Sequence, residues 1–245
     1  MPHSACHVVV IPCLNEEQSI ATLVHSVRRY LPTVLVVDDG SSDRTAKLAA
    51  TAGAGVLRHP RNLGKGAAVK TGLTAAARQG FSWALLMDGD GQHQPADIPT
   101  FLHSAEATRA ALVIGNRMQD ARSIPWLRRQ VNRWMSARIS RRAGRDLPDT
   151  QCGFRLVDLR VWTTLPCRTR RFEIESEMLL AFLDAGCGVE FVPIRVIGRA
   201  AHSHINPLTD AWRWMKWWCG LPASRRSVNS RSAGLQPVVR QLQAE

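Results

Sequence analysis

The chain has 245 residues, 45% of them apolar and 21% charged, a balance that excludes a wholly disordered protein and leaves room for one large domain with appendages. Its 17 glycines and 13 prolines are close to ordinary usage, and no segment repeats at a fixed period, which excludes collagen-like and solenoid architectures. The 32 basic against 20 acidic residues give a net charge of +12; because lysine stands only at 47, 65, 70 and 216, the basic set is overwhelmingly arginine, a surface suited to phosphate-bearing partners.

The first apolar run, 7–11, is β-branched and reads as a strand ending at Pro12. Asn15 then stands at a helix N-cap position with Gln18 three residues on. Ile20, Leu23, Val24, Val27 and Leu31 recur at helical spacing and mark one buried face, stopped by Pro32. Residues 34–37 read as a short buried strand, 45–52 as a helix, 56–57 as a strand, 65–79 as a helix ended by Gly80, 83–87 as a strand, 95–107 as a helix and 111–114 as a strand. Such alternation predicts a mostly parallel sheet covered by helices on both faces, with the loops after Ile11, Val37, Met87 and Ile114 converging on one crevice.

Beyond this the chain changes character. Residues 117–145 hold nine arginines against the single acid Asp120 and read as a strongly basic helical segment. A polar loop follows at 149–155, then a helix near 174–185 and strand pieces in 189–197. Residues 206–222 carry Trp212, Trp214, Trp217 and Trp218 with Arg213 and Lys216, and no acid occurs between Asp210 and Glu245. The segment is predicted to be an amphipathic helix lying at a membrane surface, followed by a basic, disordered tail.

The six cysteines, at 6, 13, 152, 167, 187 and 219, show neither a C-x-x-C pair nor a zinc spacing, which predicts a reducing compartment. The N-terminus lacks the pattern of a secretory signal, and no apolar run approaches the roughly 18 residues needed to span a bilayer. The expected location is therefore cytoplasmic.

Chemistry concentrates in Asp88-Gly89-Asp90-Gly91-Gln92. If the chain stays extended after the strand, side chains 88, 90 and 92 point one way and offer two carboxylates and an amide oxygen, a set suited to Mg2+ or Mn2+; the bland alternative is a solvated acidic turn. An EF-hand would need Gly at 93 and Glu at 99, where His93 and Pro99 stand. A carboxylate-nucleophile phosphatase usually has a hydroxyl or β-branched residue at 92, and Gly64-Lys65-Gly66 continues with Val69 where a dinucleotide fingerprint or a P-loop requires glycine. Asp38-Asp39-Gly40-Ser41 ends another strand, and a carboxylate there can accept from a ribose hydroxyl or a base N–H. Asp39 is the ligand candidate, and Ser41, Ser42 and Asp43 read equally well as turn and cap.

Together Ile11-Pro12-Cys13-Leu14-Asn15-Glu16-Glu17, Val36-Val37-Asp38-Asp39-Gly40-Ser41-Ser42-Asp43, Asn62-Leu63-Gly64-Lys65-Gly66, Asp88-Gly89-Asp90-Gly91-Gln92-His93 and Gly115-Asn116-Arg117 resemble the family 2 glycosyltransferases, in order, over about residues 7–215. The nearest branch is the dolichol- or polyprenol-phosphate sugar synthases. Asp149-Thr150-Gln151-Cys152-Gly153-Phe154 is similar to dolichyl-phosphate glucosyltransferases, and Ser203-His204-Ile205-Asn206-Pro207 to bacterial members.

The resemblance implies a GT-A fold, α/β with a mostly parallel sheet, and a nucleoside diphosphate sugar donor of the GDP-mannose or UDP-glucose type. It implies Mg2+ or Mn2+ held by Asp90 and Gln92 with Asp88 beside it. Asp88, Asp90, Lys65, Arg117 and Arg133 form the implied catalytic group, with Lys65 near the diphosphate and the two arginines facing the acceptor phosphate. Pro12, Leu14, Glu16, Val37 and Asp39 match positions enclosing base and ribose, and Gln151, Arg155, Glu177, Arg199 and His204 complete the substrate-binding candidates. Two departures stand out: Leu14 replaces a tyrosine common in relatives, and Ser203-His204 replaces a Ser-Lys pair, so that Arg199 becomes the substitute for the diphosphate contact.

The expected organisation is a catalytic domain over 1–205, the Trp-rich interface helix over 206–222 and the tail over 223–245. The expected reaction is inverting transfer of a hexose to a polyprenyl phosphate acceptor, the enzyme sitting peripherally on the cytoplasmic membrane face and binding no nucleic acid. A phosphate monoester is mostly dianionic at neutral pH and needs no general base. Two other accounts stay open: a glycosyltransferase acting on a hydroxyl of another lipid or glycan, with Asp149 or Asp90 as base, and a nonenzymatic membrane or nucleic-acid binding module built on the arginines.

Overall fold

The computed structural model describes residues 6–118, 125–197 and 207–222. The first half alternates as the apolar pattern predicts: β1 (His7–Cys13), α1 (Ile20–Val27), β2 (Val34–Asp38), α2 (Thr45–Thr51), β3 (Gly55–Arg58), α3 (Lys65–Arg78), β4 (Trp83–Leu86), α4 (Ile98–Thr108) and β5 (Leu112–Asn116). The second half adds α5 (Trp126–Ala143), β6 (Arg155–Asp158), α6 (Leu159–Trp162), α7 (Ile174–Asp184), β7 (Val189–Pro193) and α8 (Pro207–Cys219).

The seven strands form one sheet in the order β3-β2-β1-β4-β6-β5-β7. Every pairing is parallel except those of β6, which runs antiparallel to both β4 and β5. Val8 to Ile11 and Val34 to Val37 are buried, as continuous apolar strands must be when a sheet is covered on both faces. The register sets Cys13 beside Asp38 and Leu86 beside Arg155, so the C-terminal ends of β1, β2, β4 and β5 and the start of β6 share one edge.

β6 was not among the predicted strands, and its reversed direction has a functional consequence. Because it runs against its neighbours, the loop that precedes it, 149–154, is delivered to the same edge as the loops that follow the parallel strands.

The entry to α1 also differs from expectation. The helix begins at Ile20 behind Ser19, not behind Asn15. Asn15 has a left-handed φ of 55°; its N–H donates to Ser41 Oγ at 2.8 Å and its Oδ1 accepts from Ser42 N at 2.9 Å. These bonds tie the loop after β1 to the turn after β2, where an N-cap would have turned the side chain back on its own helix.

α5 exposes Arg133 and Arg141 and buries Asn132, Met135, Ser136 and Ile139, a narrow i, i+3, i+4, i+7 stripe. α8 packs against it. Trp214 is 2% exposed, meets Trp134 edge-on at 5.4 Å and donates from Nε1 to Ser176 Oγ at 2.8 Å. Trp212, two residues earlier, is 66% exposed, so the tryptophans expected at an interface divide between core and surface.

Candidate active site

The crevice follows the order of the strands. Its larger concavity, about 260 Å3, is lined by Asp39, Asn62 and Gly64, by Pro12, Leu14 and Glu16, and by Lys65, Asp88 and Asp90, with Arg128, Thr209 and Arg213 on the far wall. A second of about 70 Å3 shares Lys65, Asp88 and Arg128 with it and adds Arg117, Gln151 and Glu175 beside the apolar Val131, Met135 and Trp214.

At the junction Lys65 Nζ lies 2.8 Å from Asp88 Oδ1 and 2.7 Å from Glu175 Oε1. Burial by itself lowers the affinity of this ammonium for its proton, but Asp88 and Glu175 outweigh it and hold the pKa above the ordinary lysine value. For Asp88 burial pushes upward, and Lys65, followed by His93, overcomes it and holds the carboxyl well below its usual range. His93 Nε2 stands 3.6 Å from Asp88 Oδ2, too far for a hydrogen bond. Two glycines permit this crowding: a Cβ on Gly153 would lie 2.5 Å from Asp88 Oδ2, and one on Gly89 would lie 2.5 Å from Cys13 Sγ.

The chain does not stay extended through 88–92, because Gly89 and Asp90 form a turn. Asp90 Oδ1 accepts from Gln92 N at 3.1 Å, while the Gln92 carbonyl accepts from Ile197 N at 2.9 Å. Asp88 and Asp90 therefore reach the cleft by a turn, and Gln92 is not among the residues lining it.

Mg2+ or Mn2+ takes oxygen ligands and leaves several positions to water and phosphate. Among the described residues no three His, Cys, Asp or Glu side chains gather at ligand spacing. The acidic charge is nonetheless concentrated: the Glu16 carboxyl is pushed up to about 7, by burial first and then by the charge of Asp90. Asp88 and Asp90, the two carboxylates that line the larger concavity from the turn after β4, are of the donor type that fits such a cation.

Arg117 is buried and bound twice to Asp149, Nε to Oδ2 and Nη2 to Oδ1, each at 2.8 Å. Burial works against both charges; each partner outweighs it for the other, so the Asp149 carboxyl lies below its ordinary range and Arg117 above its own. Asp149, a base candidate for a hydroxyl acceptor, is thus committed at both oxygens. Arg128, from the first turn of α5, faces both concavities; burial and then Arg117 lower its pKa.

Other expected residues stand elsewhere. Val37 lies in the sheet core with no exposure. Arg133 is exposed on α5 and lines none of these concavities; Arg128, five residues earlier, turns inward in its place. Arg155 spends its guanidinium on the carbonyls of Cys152, Glu175 and Thr150 at 2.6–2.8 Å and clamps the 149–154 loop. Glu177 accepts from Arg168 N and from Thr169 N and Oγ1, which fixes a loop, while Glu175 takes the place in the site. Arg199 and His204 lie outside the described residues. Gln151 Nε2 donates to Ser176 Oγ at 2.9 Å on the wall of the second concavity.

Residues 8–162 match the model of the glycosyl transferase family 2, more than half of the chain. The chain belongs to the family 2 glycosyltransferases. It is 26% identical to the UDP-N-acetylglucosamine–dolichyl-phosphate N-acetylglucosaminyltransferase of Methanococcus voltae, over 77% of this chain and 84% of that one. It is 31% identical to the polyprenol monophosphomannose synthase of Mycolicibacterium smegmatis, over 60% of each chain. Among solved structures, glucosyl-3-phosphoglycerate synthase from Mycobacterium tuberculosis, in complex with Mn2+, UDP and phosphoglyceric acid, superposes with a TM-score of 0.69 at 23% identity, covering 89% of this chain and 80% of that one. This glycosyltransferase therefore has the GT-A fold, and its homologues include polyprenol- and dolichol-phosphate sugar transferases.

Proposed function

We propose that this glycosyltransferase moves a hexose from a nucleoside diphosphate sugar to the phosphate of a polyprenyl carrier at a membrane surface. One observation carries the reading: the second concavity joins the first at Lys65 and Asp88 and sets Arg117 and Arg128 beside Val131, Met135 and Trp214. That slot offers a charged end for a phosphate and an apolar wall for the first isoprene units.

In the reaction an acceptor phosphate oxygen attacks the anomeric carbon as the bond to the donor's diphosphate breaks, with inversion, and the nucleoside diphosphate leaves. The dianionic acceptor needs no deprotonation, in keeping with the commitment of Asp149 to Arg117. Asp88 and Asp90 would hold the divalent cation, which supplies neutralisation of the departing diphosphate. Lys65, already fixed by two carboxylates, stands where it adds positive charge to that leaving group. Arg117 and Arg128 orient the acceptor, and positioning of this kind commonly supplies several kcal/mol.

Among the described residues no helix is long and apolar enough to cross a membrane. In this reading the acceptor is met at the face where Trp126, Leu127 and Trp212 are exposed. The test is turnover of a short polyprenyl phosphate by the full chain with Mg2+ or Mn2+ and a panel of nucleotide sugars, with Asp90→Ala in parallel. A lipid-linked sugar formed from one donor and lost in Asp90→Ala is expected. Metal-dependent nucleotide binding without any such product would reject the polyprenyl acceptor and point to a hydroxyl.

A further inference from the structure

Three elements converge on one ammonium. Lys65 opens α3, Asp88 follows β4 and Glu175 stands in the first turn of α7, and Lys65 Nζ takes one oxygen from each acid, Asp88 Oδ1 at 2.8 Å and Glu175 Oε1 at 2.7 Å. The α7 side of this contact is firmly held. Arg155 Nη1 donates to the Glu175 carbonyl at 2.6 Å, and the loop before α7 packs so closely on the start of α3 that a Cβ on Gly66 would lie 2.8 Å from the Arg170 carbonyl carbon.

One oxygen in this group is unspent. Glu175 is 6% exposed, yet its Oε2 is buried with no hydrogen-bond partner among the described residues, a costly state for a carboxylate oxygen. An ammonium has three donors, and the two acids take two of them. A cavity of about 10 Å3, lined in part by Lys65, Asp88, Arg155 and Glu175, lies beside the pair. The spare oxygen, the spare donor and the space suit a second position of Lys65, held by both oxygens of Glu175.

We propose that Glu175 is the positioning residue that keeps Lys65 in place when Asp88 takes up a divalent cation: Lys65 pairs with Asp88 before the cation arrives, then gives it up and stays on Glu175 through Oε1 and Oε2. The inference rests on the reading above that Asp88 and Asp90 hold the cation. An ammonium 2.8 Å from Asp88 Oδ1 and a divalent cation on the same carboxylate repel each other, so Lys65 competes for Asp88 unless a second acid draws it off. Glu175 is that acid. It weakens the competition and leaves the positive charge of Lys65 at the junction of the two concavities, and it acts through Lys65, not on the cation.

The test is Mn2+ binding to the full chain, with and without UDP, read from the electron paramagnetic resonance signal of free Mn2+, in wild type, Glu175→Gln, Lys65→Met and the double variant. Glu175→Gln keeps the shape and weakens the second hold on Lys65, so Mn2+ binding is expected to fall several-fold; Lys65→Met removes the competitor and is expected to tighten it. In the Lys65→Met background Glu175→Gln is expected to leave Mn2+ binding unchanged, because no ammonium remains to be drawn off. Circular dichroism checks each fold, and where Lys65→Met or Glu175→Gln does not fold, Lys65→Gln or Glu175→Asp closes the same cycle. Equal weakening by Glu175→Gln in both backgrounds would reduce Glu175 to a distant charge and overturn the inference, as would no weakening in the presence of Lys65; the cation site stands in both cases. Mn2+ binding that Asp90→Ala leaves unchanged, or no Mn2+ binding under either condition, overturns the cation reading and the inference with it.

Discussion

Asp149 and Arg117 set the strongest constraint on any single residue. Both are buried, so each would be costly alone, and the bidentate contact together with the Arg117 N–H to Asp149 Oδ2 at 3.1 Å offsets that cost. Asp149→Asn strands a buried guanidinium, and a loss of about 3–5 kcal/mol is expected, read as a lower urea midpoint at unchanged slope. The acid dependence has a definite sign. Burial pushes the Asp149 carboxyl up, Arg117 outweighs it, and the folded value lies below the unfolded one of about 3.9. The stabilisation is thus complete above roughly pH 5 and is lost as the pH falls through the folded value, because the unfolded chain takes the proton first. The gap between wild type and Asp149→Asn should narrow in acid; a gap constant from about pH 7 to pH 3 would show that the pair is not what the substitution removes. At this scale the sequence shows Asp88 and Asp90 as a pair of carboxylates after a strand and Lys65 through the family resemblance, but not which acid of Glu173, Glu175 and Glu177 meets Lys65. A helix advances about 100° per residue, so Glu175 and Glu177 face different ways, and only the packing of α7 beside α3 turns Glu175 inward. His59 was equally hidden: its Nδ1 stands 2.7 Å from Asp39 Oδ1, and nothing local to it in the sequence announces that contact.

Among the elements, the parallel strands β1, β2, β4 and β5 were legible because each is built on an apolar run. β6 was not: Arg155-Leu156-Val157-Asp158 is four residues with a charge at either end, and only burial of the Arg155 guanidinium against three carbonyls lets it enter a sheet. α8 was legible as a helix but not in its orientation. Four tryptophans within seven residues look alike as letters, while the structure seats Trp214 between Trp134 and Trp218, with centroids at 5.4 and 5.1 Å, and leaves Trp212 outside. Trp214→Ala should therefore cost about 3–5 kcal/mol and lower the melting temperature. It should also loosen the second concavity, because Trp214 Nε1 and Gln151 Nε2 both donate to Ser176 Oγ. Trp212→Ala should leave the melting temperature nearly unchanged. Equal effects from the two substitutions would mean that α8 does not dock on α5 in solution.

For the whole molecule, the charge of +12 acts together with where the apolar surface lies. Trp126 at 65% exposure and Leu127 open α5, and Trp212 stands on α8; both helices also line the concavity assigned to the acceptor. Arg133 and Arg213 are exposed on the same two helices. Near an anionic leaflet each basic residue contributes about 1 kcal/mol, within a screening length of about 10 Å at 0.1 M salt, while the tryptophans can enter the interface. If this face rests on the membrane, binding to vesicles of mixed phosphatidylcholine and phosphatidylglycerol should fall steeply with added salt and be weak on phosphatidylcholine alone. Replacing Trp126 and Trp212 together by Ser should reduce binding at every salt concentration without moving the melting temperature, because neither side chain belongs to the core. Turnover of a detergent-dispersed short-chain acceptor should survive that double substitution, since the charged end of the slot at Arg117 and Arg128 is untouched. Loss of soluble turnover would instead place the tryptophans in acceptor binding itself, and salt-independent vesicle binding would remove the arginines from the account of membrane attachment.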